Sequence, residues 1–207
     1  MLLSSALFST GFSLFTKNKQ IYKSFYALSV TQQSDETIAK QIATALQQKG
    51  GAGFIDPQNR ILISVYPDIN SAKSVKNNIK EDYPNTEIIE IKISKPADTE
   101  IDYFNEINEE ISNLYEIIIE IDKEQISLLQ MQEKITKIVE NLENLKTETS
   151  LHLQGTKKVS YQNFLDRFIN LLTSVNNFSN NISNISCSLK YVLTSFIYNF
   201  AEFSNFV

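Results

Sequence analysis

Residues 24–95 alternate between strand-like and helix-like apolar patterns, and this alternation limits the possible folds more than any other feature of the sequence. Four short runs have the period of two expected of strands, and two longer runs place apolar residues on one helical face. Their order is strand, helix, strand, strand, helix, strand, which is the ferredoxin-like βαββαβ arrangement. We therefore predict an α+β domain. The predicted strands are 25–30, 52–55, 60–66 and 87–93, and the predicted helices begin at Ser34 or Asp35 and after Asp68.

The two helices are predicted to cover one face of a four-stranded antiparallel sheet and to leave the other face open to solvent. Open sheet faces serve as binding surfaces in many proteins, although the fold alone does not identify the ligand. The side chains predicted on the open face are Ser29, Thr31, Arg60, Leu62, Ser64, Glu90 and Lys92.

Residues 98–207 carry the spacing of long helices. Apolar residues recur every three or four positions from Phe104 to Leu142 and again from Tyr161 to Phe196, while Gln125 and Gln132 fill two positions of the first seam. A helix of this kind cannot bury its seam alone. We predict an antiparallel hairpin of two long helices that turns between 150 and 160, and pairing of each seam with another chain stays open as an alternative.

Both ends of the sequence are candidates for contact with a membrane. Residues 1–15 are apolar or small and uncharged, but a spanning helix needs about 20 apolar residues, and Lys17, Lys19 and Lys23 follow the run rather than precede it. Two interpretations stay open for residues 1–23: the tail of a longer membrane anchor, or a poorly ordered or interfacial terminus. The aromatic run 191–207 is interpreted as a buried helix end, with a membrane or partner contact as the alternative.

Composition argues against an enzyme. One cysteine, Cys187, and one histidine, His152, exclude a disulfide framework and clusters of these metal ligands. The sequence contains no glycine-rich phosphate loop and no metal-ligand spacing, so we expect no catalytic residue, cofactor or metal. The acidic side chains between 106 and 124 could in principle pair for glycoside cleavage, but a solvated helix face is favoured. The 19 basic and 24 acidic side chains give a net charge of −5, which argues against a nucleic-acid partner.

Two stretches resemble the SPOR (sporulation-related repeat) domain, a peptidoglycan-binding module of bacterial division and sporulation proteins. They are FYALSVTQQSDETIAKQIATALQQKG and RILISVYPDINSAKSVKNNIK, within residues 24–95. The resemblance implies non-catalytic binding of glycan strands stripped of their peptides, and the layout is similar to clostridial SPOR-domain membrane proteins, which implies a place in the cell envelope. Carried over from the family, the ligand-binding positions are Ser29, Thr31, Gln32, Arg60, Leu62 and Tyr66.

Several polar positions differ from the family pattern. Ser29 stands where glutamine is usual, Thr31 where glycine is usual and Gln33 where an aromatic residue is usual, whereas Tyr66 keeps its aromatic ring. A second function therefore stays open, in which the domain has lost glycan binding and the helices assemble a protein complex or a homo-oligomer. RNA-recognition domains share the topology, but they stack bases on aromatic residues that the predicted face lacks.

Overall fold

The computed structural model describes residues 20–178 and 182–206, and the predictions for the apolar segment 1–15 lie outside these residues. The first half forms a four-stranded sheet of order β2-β3-β1-β4 in which every neighbouring pair is antiparallel. The α+β class and the antiparallel sheet are confirmed. The elements are β1 (Ile21–Gln32), α1 (Glu36–Gln48), β2 (Phe54–Ile55), β3 (Arg60–Tyr66), α2 (Ile69–Asn78) and β4 (Glu87–Ser94).

Both helices of this half begin at an aspartate. Asp35 accepts hydrogen bonds from the backbone N–H groups of Thr37 and Ile38, at 2.8 and 3.1 Å, and so caps α1. Asp68 caps α2 in the same way. After α1 the chain turns at Gly50, whose φ of +91° is a conformation that favours glycine. The sequence placed these boundaries to within one or two residues because the capping chemistry is local.

The second half consists of helices that run antiparallel to their neighbours. Contacts between helices fix the directions. Glu120 near the end of the first long helix contacts Lys134 near the start of the next. Phe164 stacks on Phe203 with ring centroids 4.7 Å apart, while Phe168, one turn later, stacks on the earlier Phe196. The elements are a 3₁₀ turn (Asp98–Glu100), α3 (Ile101–Asp122), α4 (Leu128–His152), α5 (Gly155–Phe178) and α6 (Ile182–Ser204). The predicted hairpin is wrong in its number of helices, since each long helix is replaced by two shorter ones packed as a four-helix bundle.

A capping box separates α3 from α4. The Ser127 hydroxyl accepts from the Gln130 backbone N–H at 3.3 Å, and the Gln130 side chain accepts from the Ser127 backbone N–H at 2.9 Å. Just before it, Glu124 takes a left-handed φ of +55° that turns the chain. Gln125, predicted to fill a core position, is exposed instead.

Replacing Ser127 by alanine is expected to lower the free energy of unfolding by about 1 kcal/mol, because the backbone N–H of Gln130 loses its acceptor. Urea denaturation followed by circular dichroism measures the change. Ser127→Thr is the matched control, since it keeps a hydroxyl at the cap and should retain most of the stability. Equal losses in both variants would contradict the capping role.

The sheet is covered on both faces. α1 and α2 pack on the face that carries Leu28 and Ile61, while α6 lies against β2, β3 and β4 on the other face. On that second face, called the bundle face below, Phe25, Ile91 and Ile93 join one continuous apolar core with α3 to α6. The prediction of an open sheet face is therefore wrong. The aromatic run of α6 is largely buried, as interpreted, and it packs against the sheet.

The orientation of the β4 side chains also differs from the prediction. Ile89, Ile91 and Ile93 point toward the bundle, so the alternating residues Glu90 and Lys92 lie on the opposite face of the strand, where they are exposed. This orientation follows from the second layer of helices. The isoleucine stripe of an edge strand packs against whichever layer offers the larger apolar surface, and here that layer is the bundle.

Candidate binding groove between the sheet and α6

The six positions carried over from the SPOR resemblance fall into two groups. Ser29, Leu62 and Tyr66 are buried, with 4%, 0% and 9% of their surface exposed. Thr31, Gln32 and Arg60 reach solvent, and together with Ser29 they line a small groove of about 220 Å³ at the ends of β1 and β3. The structure brings four of the six positions together, and Leu62 and Tyr66 are packed into the core instead.

A larger groove, called the α6 groove below, lies between the sheet and α6 and has a volume of about 730 Å³. Both arginines of the chain, Arg60 and Arg167, line it, in a sequence that otherwise uses lysine for its positive charges. A guanidinium presents a planar fork of donors that suits carboxylates and carbonyl-rich ligands. Three acidic residues, Asp56, Glu90 and Glu202, line it as well, and the uncharged polar lining residues are Gln58, Ser195, Asn199 and Asn205.

Three aromatic rings form one wall of the α6 groove. The ring centroid of Phe54 lies 5.5 Å from that of Tyr191 and 5.3 Å from that of Tyr198. Tyr191 is 37% exposed, so part of its ring faces solvent. An exposed aromatic ring offers a flat apolar surface beside a hydroxyl, a combination that suits ligands with one apolar face and a polar rim.

Asp56 links β3 to α6 beside the α6 groove. This carboxylate is 3% exposed and accepts backbone hydrogen bonds from Gln58 and Arg60, each at 2.9 Å. Its second oxygen accepts from Arg60 Nε at 2.6 Å and from the Tyr198 hydroxyl at 3.2 Å. Burial, reinforced by the Asp56 charge, raises the pKa of Tyr198. The sequence predicted a turn at Asp56 but not this contact with α6.

Arg60 is ion-paired with Asp56 at the rim, whereas the partner of Arg167 is neutral. An Arg60 terminal nitrogen donates to the Gln58 amide oxygen at 3.0 Å, and Arg167 donates to the Asn199 amide oxygen at 2.8 Å. A guanidinium has five N–H donors, so each side chain keeps donors beyond these bonds. The groove therefore presents the Arg167 cation and the Arg60–Asp56 ion pair beside the aromatic wall.

The acidic side chains of α3 serve structure. Glu110 is 6% exposed and accepts from the Asn141 side chain at 2.7 Å and the Asn113 side chain at 3.1 Å, which ties α3 to α4. Elsewhere on the helix, burial and the negative charges of Glu148 and Asp102 raise the pKa of Glu106. Across residues 20–178 and 182–206, no group of three histidine, cysteine, aspartate or glutamate side chains is placed to hold a metal ion.

Replacing Glu106 by glutamine is expected to stabilise the protein at neutral pH by less than about 1 kcal/mol. A carboxyl whose pKa is raised on folding binds its proton more tightly in the folded state, so its ionised form costs stability at pH 7. That cost disappears as the pH falls through the raised pKa. Urea denaturation of both proteins from pH 7 down to about pH 4 should therefore converge. Glu133→Gln, at an exposed position of α4, serves as the control.

The one histidine and the one cysteine of the sequence lie outside the α6 groove. His152 is exposed at the last position of α4, just before the turn in which it was predicted. The Cys187 sulfur lies 3.1 Å from the Gln47 carbonyl oxygen and is half-buried between α1 and α6. Neither residue lines the α6 groove.

Comparisons of the chain with protein-family models, with curated proteins and with solved structures found no match. Within the part of the chain that the structure describes, none of the helices has the length and hydropathy that a membrane span requires.

Proposed function

We propose that this protein is a non-catalytic, SPOR-like binding protein for peptidoglycan glycan strands, and that the strand lies in the α6 groove. The observation that carries the proposal is the placement of both arginines beside an exposed aromatic wall. The ferredoxin-like order of elements and the strand order β2-β3-β1-β4 support the resemblance from which the ligand class comes. The groove lies on the same sheet face that the family uses.

The chemistry of a stripped glycan strand suits this lining. Such a strand carries acetamido groups, hydroxyls and, where the stem peptide has been removed, a free lactyl carboxylate. A guanidinium binds a carboxylate through two parallel hydrogen bonds, and amide side chains such as Asn199 and Asn205 bond acetamido groups and hydroxyls. Arg167, whose partner Asn199 is neutral, would thus favour stripped strands over strands whose lactyl group is still blocked by peptide. This binding places the protein at the cell envelope.

Co-sedimentation of the full chain with sacculi tests the proposal. The protein should pellet with amidase-treated sacculi more strongly than with intact sacculi, and Arg167→Gln should weaken the binding about tenfold, since a hydrogen bond to a charged group contributes about 1.5–3 kcal/mol. Lys92→Gln removes an exposed cation on the opposite sheet face and should leave binding unchanged.

Two outcomes would overturn parts of this proposal. If the chain pellets with neither form of sacculi, glycan is not its ligand. If Arg167→Gln binds normally while Gln32→Ala does not, the strand lies in the small groove at the ends of β1 and β3. In both cases an unchanged thermal unfolding midpoint of the variants shows that the fold is intact.

One observation favours a second function, that of a protein-interaction module. α6 covers the sheet face that the resemblance assigns to glycan, and it buries Leu62 fully. In this case the helices α3 to α6 assemble a complex and the sheet serves as their support. Photo-cross-linking in cells from exposed positions on α4 and α5 would then capture one defined partner, while the sacculi assay stays negative.

A further inference from the structure

One end of the molecule, called the basal end below, collects the termini of six elements. β1 and α3 begin there, β4, α4 and α6 end there, and α5 begins there after a short turn. The Lys95 backbone N–H donates to the Gln20 carbonyl at 2.6 Å, and the Ser94 hydroxyl donates to the Asn205 side chain at 2.7 Å. The Tyr161 ring lies 4.7 Å from the Phe203 ring, which places the start of α5 beside the end of α6.

Large apolar side chains are exposed at the basal end. Leu151 and Phe206 are 76% and 78% exposed, and Val159 and Ile21 are 54% and 48% exposed. Single exposed apolar residues are ordinary on a protein surface, but several at one end mark a surface that contacts something apolar. They project from the last turn of α4, the first turns of α5 and the two chain segments beside them.

The sequence before residue 20 indicates which kind of apolar partner contacts the basal end. Residues 1–16 contain no charged side chain, and Lys17 and Lys19 follow. Gln20, the first residue that the structure describes, lies at the basal end, where its carbonyl accepts from the Lys95 backbone N–H. The uncharged segment therefore joins the folded part at the basal end. Lys158 adds a cation there, and Lys95 and Lys157 are paired with Asp98 and Glu100. Exposed carboxylates at the same end belong to Asp102, Glu148 and Glu202, so the apolar side chains rather than the net charge define this surface.

We propose that the basal end docks on an anionic lipid bilayer and inserts Leu151, Val159 and Phe206 at the boundary between headgroups and acyl chains. Interfacial binding of this kind combines shallow insertion of apolar side chains with attraction of nearby lysines to anionic lipid. None of the three inserted side chains lines the α6 groove, so the proposal holds whether or not the groove binds glycan.

Tryptophan fluorescence tests the insertion, because the natural chain contains no tryptophan. Leu151→Trp and Leu129→Trp place the probe at two exposed positions of α4 that are 76% and 65% exposed. These positions are about 33 Å apart along the helix. The full-length variants are mixed with vesicles of equal parts phosphatidylglycerol and acyl-brominated phosphatidylcholine. At position 151 the emission should shift to the blue and lose about half its intensity, while at position 129 it should not change.

Three results would overturn the proposal. Quenching at neither position means that the basal end does not reach the acyl chains, and quenching at both means that the molecule does not dock by this end. A blue shift at position 151 without vesicles, growing with protein concentration, means that a second copy of the chain covers the surface.

A second measurement separates the basal end from the uncharged segment 1–16. Full-length protein carrying Leu151→Glu and Val159→Glu should bind the same vesicles about tenfold more weakly, because two charges replace inserted apolar groups. Leu129→Glu is the control at the opposite end of α4. Unchanged vesicle binding of the double variant would assign all membrane affinity to the segment before residue 20 and would overturn the docking of the basal end.

Discussion

Replacing Phe104 by alanine is expected to lower the free energy of unfolding by about 3–5 kcal/mol, the range for deleting a buried phenylalanine ring. Phe104 is fully buried at the first turns of α3. Its ring centroid lies 5.8 Å from that of Tyr22 on β1 and 4.9 Å from that of Phe200 on α6. A cavity here lies at the joint between sheet and bundle, where three separate elements would have to move to close it.

Urea denaturation followed by far-ultraviolet circular dichroism and by tyrosine fluorescence measures this effect. One transition at the same midpoint by both probes is expected for the natural protein and for Phe104→Ala, because the apolar core is continuous from the sheet to the bundle. Leu129→Ala, at an exposed position of α4, should change stability by less than about 0.5 kcal/mol. Two separate transitions, with only the helical one shifted by Phe104→Ala, would show instead that the two halves unfold independently.

The elements of the first half could be predicted because their signals are local. Apolar alternation, the aspartate caps and the glycines after α1 each act within a few residues. The burial of the bundle face depends on long-range contacts, but the sequences of β1 and β3 gave a partial indication of it. Phe25–Val30 and Ile61–Tyr66 are nearly continuous apolar runs, which is the pattern of strands buried on both faces rather than on one.

The regular spacing of apolar residues gave no indication of the break between α3 and α4. The spacing of apolar residues continues through Gln125, and no glycine or proline interrupts it. The signal that could have located the break is the Ser127-x-x-Gln130 pattern, which supplies two reciprocal hydrogen bonds to a new helix start. Met131 and Ile138 then face the core of the bundle fully buried, whereas Leu128 and Val139, which continue the spacing that begins at Phe104, are only partly buried.

The candidate groove could be predicted only in part. Arg60 was identified from the sheet pattern, but Arg167 and Tyr198, which line the groove with it, come from helices more than 100 positions away. Periodicity shows which face of a helix is apolar, but it does not show which sheet that face will meet. The residues of α6 that form the aromatic wall were therefore interpreted as part of a hairpin core.

Replacing Asp56 by alanine is expected to lower the free energy of unfolding by about 2–3 kcal/mol, because buried donors lose their acceptor and a partly buried ion pair is broken on one side. The change leaves the backbone N–H groups of Gln58 and Arg60, the Arg60 guanidinium and the Tyr198 hydroxyl without this acceptor. The matched control is Asp68→Ala. Asp68 also accepts two backbone hydrogen bonds, but it caps α2 in water and should cost only about 1 kcal/mol.

A pair of further variants distinguishes the charge of Asp56 from its hydrogen bonds. Asp56→Asn keeps an oxygen for the two backbone N–H groups and loses the negative charge opposite Arg60, so it should destabilise less than Asp56→Ala. Combining Asp56→Asn with Arg60→Gln removes both charges and should recover part of the loss, because neither variant side chain is then an unpaired ion. If the two single variants are additive in the double variant, the ion pair contributes no coupling energy, and the groove is held by backbone turn geometry alone.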